Sequence, residues 1–122
     1  MQILFSEHHL WILVQADGTI ATGISNHAQN MLGDIIYVEF PAIGSKLSVG
    51  HVCGIVESVK TASDLHAPLD GDVVAINESL RDRPEQLNDA PETTWIFRFR
   101  PNDAKQMENL MAPEAYQAFL EK

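Results

Sequence analysis

Gly33-Asp34-Ile35-Ile36-Tyr37-Val38-Glu39 is matched, position for position in residue type, by Gly71-Asp72-Val73-Val74-Ala75-Ile76-Asn77. Each copy opens on a turn-forming Gly-Asp pair and continues as a β-prone apolar run. A strand repeated in this way predicts a barrel or sandwich with pseudo-two-fold symmetry. Further strand-like runs lie at 10–14, 19–23, 51–58 and 95–99, separated by turn signals such as Asp17-Gly18 and the Gly44 to Gly50 region. In the last run, alternation puts Trp95, Phe97 and Phe99 on one face, with Ile96 and Arg98 on the other. The first hundred residues therefore read as a mostly β body.

Helical signals are few. Asn26 with Gln29 three residues on resembles a capping box, followed by Ala28, Met31 and Leu32 as an apolar face and Gly33 as a stop. Residues 81–94, with Pro84 and Pro91, read as a polar connection with room for one helical turn. From residue 101 the period changes. Met107, Leu110 and Met111 recur at helical spacing, Pro113 suits a first turn, and Ala115, Tyr116, Phe119 and Leu120 form a stripe. Residues 1–122 are expected to form a single domain, with short C-terminal helices over 101–122 packed on the β body.

Composition excludes several classes. With 17 acidic against 8 basic residues in 122, the net charge is −9. A nucleic-acid partner needs a basic footprint, and so does an anionic membrane. The acidic balance suits transient docking to partners with basic patches. Cys53 is the one cysteine, so no internal disulfide can form; it is expected to be a small packed residue in a reducing compartment. The apolar run from Leu10 to Val14 is too short for a signal-peptide core or a membrane span. The expectation is a cytoplasmic protein, or a mitochondrial-matrix one if it is a mature eukaryotic form. His8, His9, His27, His51 and His66 show no ligand spacing, and His8 and His9 would point apart in a strand, so no metal site is expected. No phosphate-binding loop or nucleophile elbow is present. Glu57 and Asp64 suggest acid/base work only if a pocket brings them together.

Midway between the two repeats lies Glu57-Ser58-Val59-Lys60-Thr61-Ala62-Ser63-Asp64. A hairpin is expected there, with Lys60 at its tip. A lysine so placed offers its amine to an acylating enzyme, and an amide on it makes a long mobile arm. Arginine could not substitute, because its guanidinium is not a usable nucleophile.

This segment resembles the lipoylation site of the glycine cleavage system H protein family. So do Gly23 to Gln29, Leu32 to Ile35, Val38 to Pro41, Ala67-Pro68, Gly71 to Val74, Asn77 to Leu80, Pro84 to Asn88, Trp95-Ile96 and the helix around Tyr116, in order along nearly the whole chain. The resemblance implies a lipoyl/biotinyl-carrier-like flattened β-barrel (a barrel-sandwich hybrid). It implies lipoate covalently bound at Lys60, within a supporting motif of Glu57, Ser58, Val59, Thr61 and Asp64. Biotin fits less well, since biotinyl sites usually carry methionine on both sides of the lysine and here Val59 and Thr61 flank it.

The family is a non-catalytic carrier in glycine catabolism. It shuttles an aminomethyl group between a pyridoxal-phosphate glycine decarboxylase, a tetrahydrofolate-dependent aminomethyltransferase and dihydrolipoyl dehydrogenase. Lipoate ligase or a lipoyl/octanoyl transferase would load the arm. A monomer is expected. The sequence departs from the family at its N-terminal His-Glu-Trp motif, where His9-Leu10-Trp11 stands, and lacks the usual glycine before Trp95. In the resembled proteins that glutamate lies in the cleft that holds the loaded arm. Leu10 cannot hold a cationic amine, a loss of about 1–3 kcal/mol of charge-assisted hydrogen bonding, while Asp64 remains available. A specialised H-like carrier for lipoate relay, or for another lipoate-dependent pathway such as sulfur oxidation, therefore stays open. So does a non-lipoylated interaction module that kept the fold.

Overall fold

The repeated Gly-Asp-apolar segment takes opposite places in two antiparallel sheets. The computed structural model describes residues 3–121; residues 1, 2 and 122, at the ends of the expected domain, lie outside the described residues. Strands β1 (Leu4–Phe5), β2 (Leu10–Val14), β3 (Ile20–Ile24), β4 (Ile35–Glu39), β5 (Lys46–Leu47), β6 (Val52–Ser58), β7 (Ala62–His66), β8 (Gly71–Ile76) and β9 (Phe97–Pro101) follow one another along the chain. They form a six-stranded sheet in the order β1-β2-β3-β9-β8-β5 and a three-stranded sheet in the order β4-β6-β7. The first repeat is β4 in the small sheet and the second is β8 in the large one. Both carry a β-bulge at the same repeat position, between Ile35 and Tyr37 and between Val73 and Ala75. The mostly β architecture expected from the repeat is observed, and the two sheets fit the barrel-sandwich form that the resemblance implied.

Burial follows from this pairing. Ile12, Ile20, Val56, Leu69, Val73, Phe97 and Phe99 are at most 2% exposed and fill the space between the sheets. A second cluster of Phe5, Trp11, Ala21 and Tyr116, with Trp95, Met111 and Phe119 at its edge, lies under the C-terminal segment. Helix α1 spans Asn26–Leu32, the short turns α2 and α3 span Ser79–Asp82 and Gln86–Asp89, and α4 spans Pro113–Leu120. The excursion at 81–94 holds one whole helical turn, α3, and the end of α2, which begins ahead of it; buried Leu80 and Leu87 pin the two.

Four local expectations are corrected. Ser25, not Asn26, caps α1: its Oγ accepts from Ala28 N, and Asn26 is the first helical residue. Trp95 does not share a face with Phe97 and Phe99, because strand β9 begins only at Phe97. Ahead of it, Ile96 turns into the main core and Trp95 into the second cluster, where Arg98 stacks over its ring at 4.7 Å. The first C-terminal helix is a 3-10 segment, Ala104–Asn109; Met107 and Leu110 pack on the main core, while Met111 bridges Phe5 as extended chain. Ala115 is exposed, so the α4 stripe is Tyr116, Phe119 and Leu120.

Close approach between β4 and β6 needs a glycine. A Cβ on Gly54 would sit 2.5 Å from the Glu39 carbonyl oxygen and 3.2 Å from Leu65 Cδ1. Gly54→Ala is expected to lower stability by about 1–3 kcal/mol through overpacking, measured as a reduced thermal or urea midpoint.

Candidate functional site

The hairpin joining β6 to β7 turns over Val59, Lys60 and Thr61. Ser58 builds the turn: its N–H donates to the Thr61 carbonyl at 2.8 Å, and its Oγ accepts from the backbone N–H groups of Lys60 and Thr61 at 3.2 Å each. Val59 N–H donates to the Asp34 carbonyl at 3.0 Å, tying the tip to the start of the first repeat. Lys60 is exposed, and its ammonium enters no hydrogen bond or ion pair among the described residues. Its stem runs over Gly33, where a Cβ would lie 3.0 Å from Lys60 Cε. Gly33 has φ 78 as it closes α1, a left-handed conformation that L side chains rarely adopt.

That closure is held by a residue the sequence reading did not single out. Asn88, on α3, accepts from Ile35 N–H through Oδ1 at 2.9 Å. Its Nδ2 donates to the Gly33 carbonyl at 2.8 Å and to Gln29 Oε1 at 3.1 Å. The amide thus clasps the backbone on both sides of Asp34, whose carbonyl receives Val59. The signal in the sequence was the Pro84 to Asn88 run within the family resemblance; nothing in the local pattern gave Asn88 a partner.

Beside the tip, a cleft of about 300 Å³ opens between α1, β2 and β7. Leu10, Ile24, Ala28, Leu32, Val56 and Leu65 give it an apolar lining, and His8, His9, Ser63 and Asp64 edge it. Leu10 is 2% exposed and also belongs to the main core. The structure therefore brings Leu10, Thr61 and Asp64 to one cleft. Glu57 does not line the cleft: between the inward Val56 and Ser58 it takes the outer face of β6, and the register, with Glu57 beside Ala62 and Asp64 beside Ile55, sets Asp64 on that same face of the hairpin.

The histidines pair in ways their spacing did not suggest. His8 and His9 lie in a turn, not a strand, with His9 at φ 68. His8 stacks on His66 at 4.1 Å, and His9 tilts against His27 at 4.9 Å. Burial, then the imidazoles of His27 and His8, hold the His9 pKa below 6.5. Among the described residues, no three His, Cys, Asp or Glu side chains group as a metal site would need. Cys53 packs against the core, and burial pushes its thiol pKa up to about 11, which leaves it a poor nucleophile.

Comparison with known proteins matches this arrangement over the whole chain. A family model described as glycine cleavage H-protein matches residues 3–122. The chain belongs to the glycine cleavage H-protein family. A glycine cleavage system H protein from Methylobacillus flagellatus is 51% identical over 95% of this chain and 93% of its own. One from Methylococcus capsulatus is 44% identical over 97% and 93%. The crystal structure of a glycine cleavage system H protein from Mycobacterium marinum superposes with a TM-score of 0.88 at 30% identity, covering 99% and 98% of the two chains. Members of the H-protein family are carrier components of the glycine cleavage system. Among the described residues, no helix of this one is long and apolar enough to cross a membrane.

Asn88→Ala removes three hydrogen bonds that order the backbone beneath the tip. Each is worth about 0.5–1.5 kcal/mol net, so the clasp around Asp34 is expected to open before the sheets do. Hydrogen exchange should show the Val59 and Ile35 amides losing protection by more than the β2 and β3 amides.

Proposed function

We propose that Lys60 is the lipoyl-lysine of this chain. In this reading the protein is the non-catalytic carrier of glycine cleavage, moving an aminomethyl group between the decarboxylase, the aminomethyltransferase and dihydrolipoyl dehydrogenase. The observation that carries the reading is Lys60 itself: an exposed amine with no partner among the described residues, on a hydrogen-bonded hairpin tip, next to an apolar cleft, in a chain of the H-protein family. We also propose a single-domain, cytoplasmic monomer that meets lipoate ligase or a lipoyl/octanoyl transferase at this tip.

The residues present fit such a group. Lys60 supplies the amine that becomes an amide, Ser58 fixes the turn that presents it, and Gly33 leaves its stem a path along α1. The cleft, lined by Leu10, Ile24, Leu32, Val56 and Leu65, gives an apolar arm a place to shelter from water, and Asp64 stands at its edge. The lipoyl group supplies a disulfide/dithiol pair that takes up and releases the transferred group. The chain's own part is presentation and shelter.

One observation favours the second reading, a specialised H-like carrier for lipoate relay or another lipoate-dependent pathway. Leu10 is a buried core residue at the floor of the cleft, so that floor offers no partner to a cationic amine. Reconstitution separates the two. Glycine-dependent turnover with the decarboxylase, the aminomethyltransferase and the dehydrogenase supports glycine cleavage. A lipoylated chain that the dehydrogenase reduces and reoxidises but that is silent in the full system supports the specialised role.

Protein made with lipoate and its ligase is expected to gain one lipoyl mass, mapped to the peptide holding Lys60, and Lys60→Arg is expected to gain none. Lys60→Ala should shift stability by no more than about 0.5 kcal/mol, as at other solvated positions. A lipoyl mass on Lys60→Arg would refute the assignment.

A further inference from the structure

Tyr116, on α4, touches both walls of the cleft without lining it. Its hydroxyl lies 2.7 Å from His9 Nδ1 and 2.8 Å from Ser25 Oγ. Its ring stacks on Phe5 at 4.3 Å with the planes 5° apart. His9 lines the cleft directly. Ser25 caps α1, and α1 supplies Ala28, Met31 and Leu32 to the same cleft.

The hydrogens fix the direction of this chain. Ser25 is fully buried. Its Oγ already accepts from Ala28 N–H, and its one other partner is the Tyr116 hydroxyl. The Ser25 hydrogen therefore has one destination, the Tyr116 oxygen. Tyr116 must then give its own hydrogen to His9 Nδ1, which has to be unprotonated. The opposite direction would leave the Ser25 hydrogen buried with no acceptor.

We propose that Tyr116 is a positioning residue for the carrier cleft: through the one-way chain Ser25→Tyr116→His9 it holds His9 as a neutral imidazole with its proton on Nε2. The C-terminal helix thereby sets a fixed N–H donor in the cleft wall, for a hydrogen-bond acceptor carried on an arm tethered at Lys60. The part that concerns the arm rests on the lipoyl-lysine reading; the tautomer does not. The backbone agrees with a built position. His9 is the one non-glycine residue among those described with positive φ, and its carbonyl accepts from Ser25 N–H at 2.9 Å. Such conformations persist where the surroundings over-determine them.

Around His9, α1 offers His27, the preceding turn His8, and α4 Tyr116 and the uncharged Phe119. Beta-7 brings Asp64 to the same cleft and His66 behind His8, and Glu92 lies near Tyr116. The net direction is a lowered His9 pKa. In the window between that value and 6.5 the unfolded chain binds more protons than the folded one, so stability rises with pH there and is lost as pH falls below 6.5.

The test is nitrogen-detected NMR of the histidine side chains in the full chain before lipoylation. Wild type should show His9 with its proton on Nε2, a hydrogen-bonded Nδ1, and a titration midpoint below 6.5. Tyr116→Phe keeps the stack on Phe5 but should release the tautomer and raise that midpoint. In lipoylated protein, reduction of the arm disulfide by a small phosphine should become severalfold faster in Tyr116→Phe. A wild-type His9 protonated on Nδ1, or equally on both nitrogens, overturns the proposal whatever the stability of the variant. An arm reduced at the same rate in both proteins overturns the positioning role. Lipoylation itself is read separately by mass, so an unmodified Lys60 refutes the carrier reading and leaves the tautomer result standing.

Discussion

The clasp of Asn88 on the backbone around Asp34 is the contact on which the presentation of Lys60 depends. Three elements with little local reason to stay together meet there: the end of α1 at Gly33, the start of β4 at Ile35, and the short α3. A seven-residue helix and a four-residue turn are marginal alone in water. Each is ordered here by tertiary partners, through buried Leu32 and Leu87 and through the Asn88 amide. Once Asp34 is fixed, its carbonyl receives Val59 and the hairpin tip inherits the order of the core beneath it. Lys60 is thus exposed on an ordered base, which supports the proposed attachment at its amine.

The cleft beside the tip is built from the same side chains as the core. Leu10, Ile24, Leu32, Val56 and Leu65 belong to the main core and also line the cleft. These five are almost fully buried, so the apolar surface an arm could cover there is chiefly that of the exposed Met31 with Ala28, at about 25 cal/mol per Å² removed from water. The same economy limits what the floor can hold. Leu10 sits in β2 opposite Ile24, so a charge at that position would be placed against the core, where it is costly unless paired. Polar recognition is left to the edge, where Asp64 and the histidines stand.

The acidic surface follows another logic. The ion pairs Lys46–Asp72 and Arg81–Glu78 are solvent-exposed and contribute little to stability. A net charge of −9 instead adds repulsion between like-charged copies and suits docking to partners with basic patches. Such steering suits a carrier that must dock and leave repeatedly, because it raises encounter rates without requiring tight complexes.

By itself the sequence determined the repeated strands, the hairpin between them and the lysine at its tip, because these rest on local signals: Gly-Asp turns, β-prone runs and an eight-residue motif. The bulge shared by Ile35/Tyr37 and Val73/Ala75 shows that the repeat was a real structural unit. Tertiary structure decided what pattern could not carry. Alternation placed Trp95 with Phe97 and Phe99, yet the strand starts two residues later and the indole turns to another cluster. Spacing alone set His8 and His9 apart, yet a turn at φ 68 sends one to His66 and the other to His27 and Tyr116. Asn88 lies 53 residues beyond its partner Ile35, and Tyr116 lies 107 beyond His9. Such contacts have no period to read, because they exist only once two separate stretches of chain are packed against one core.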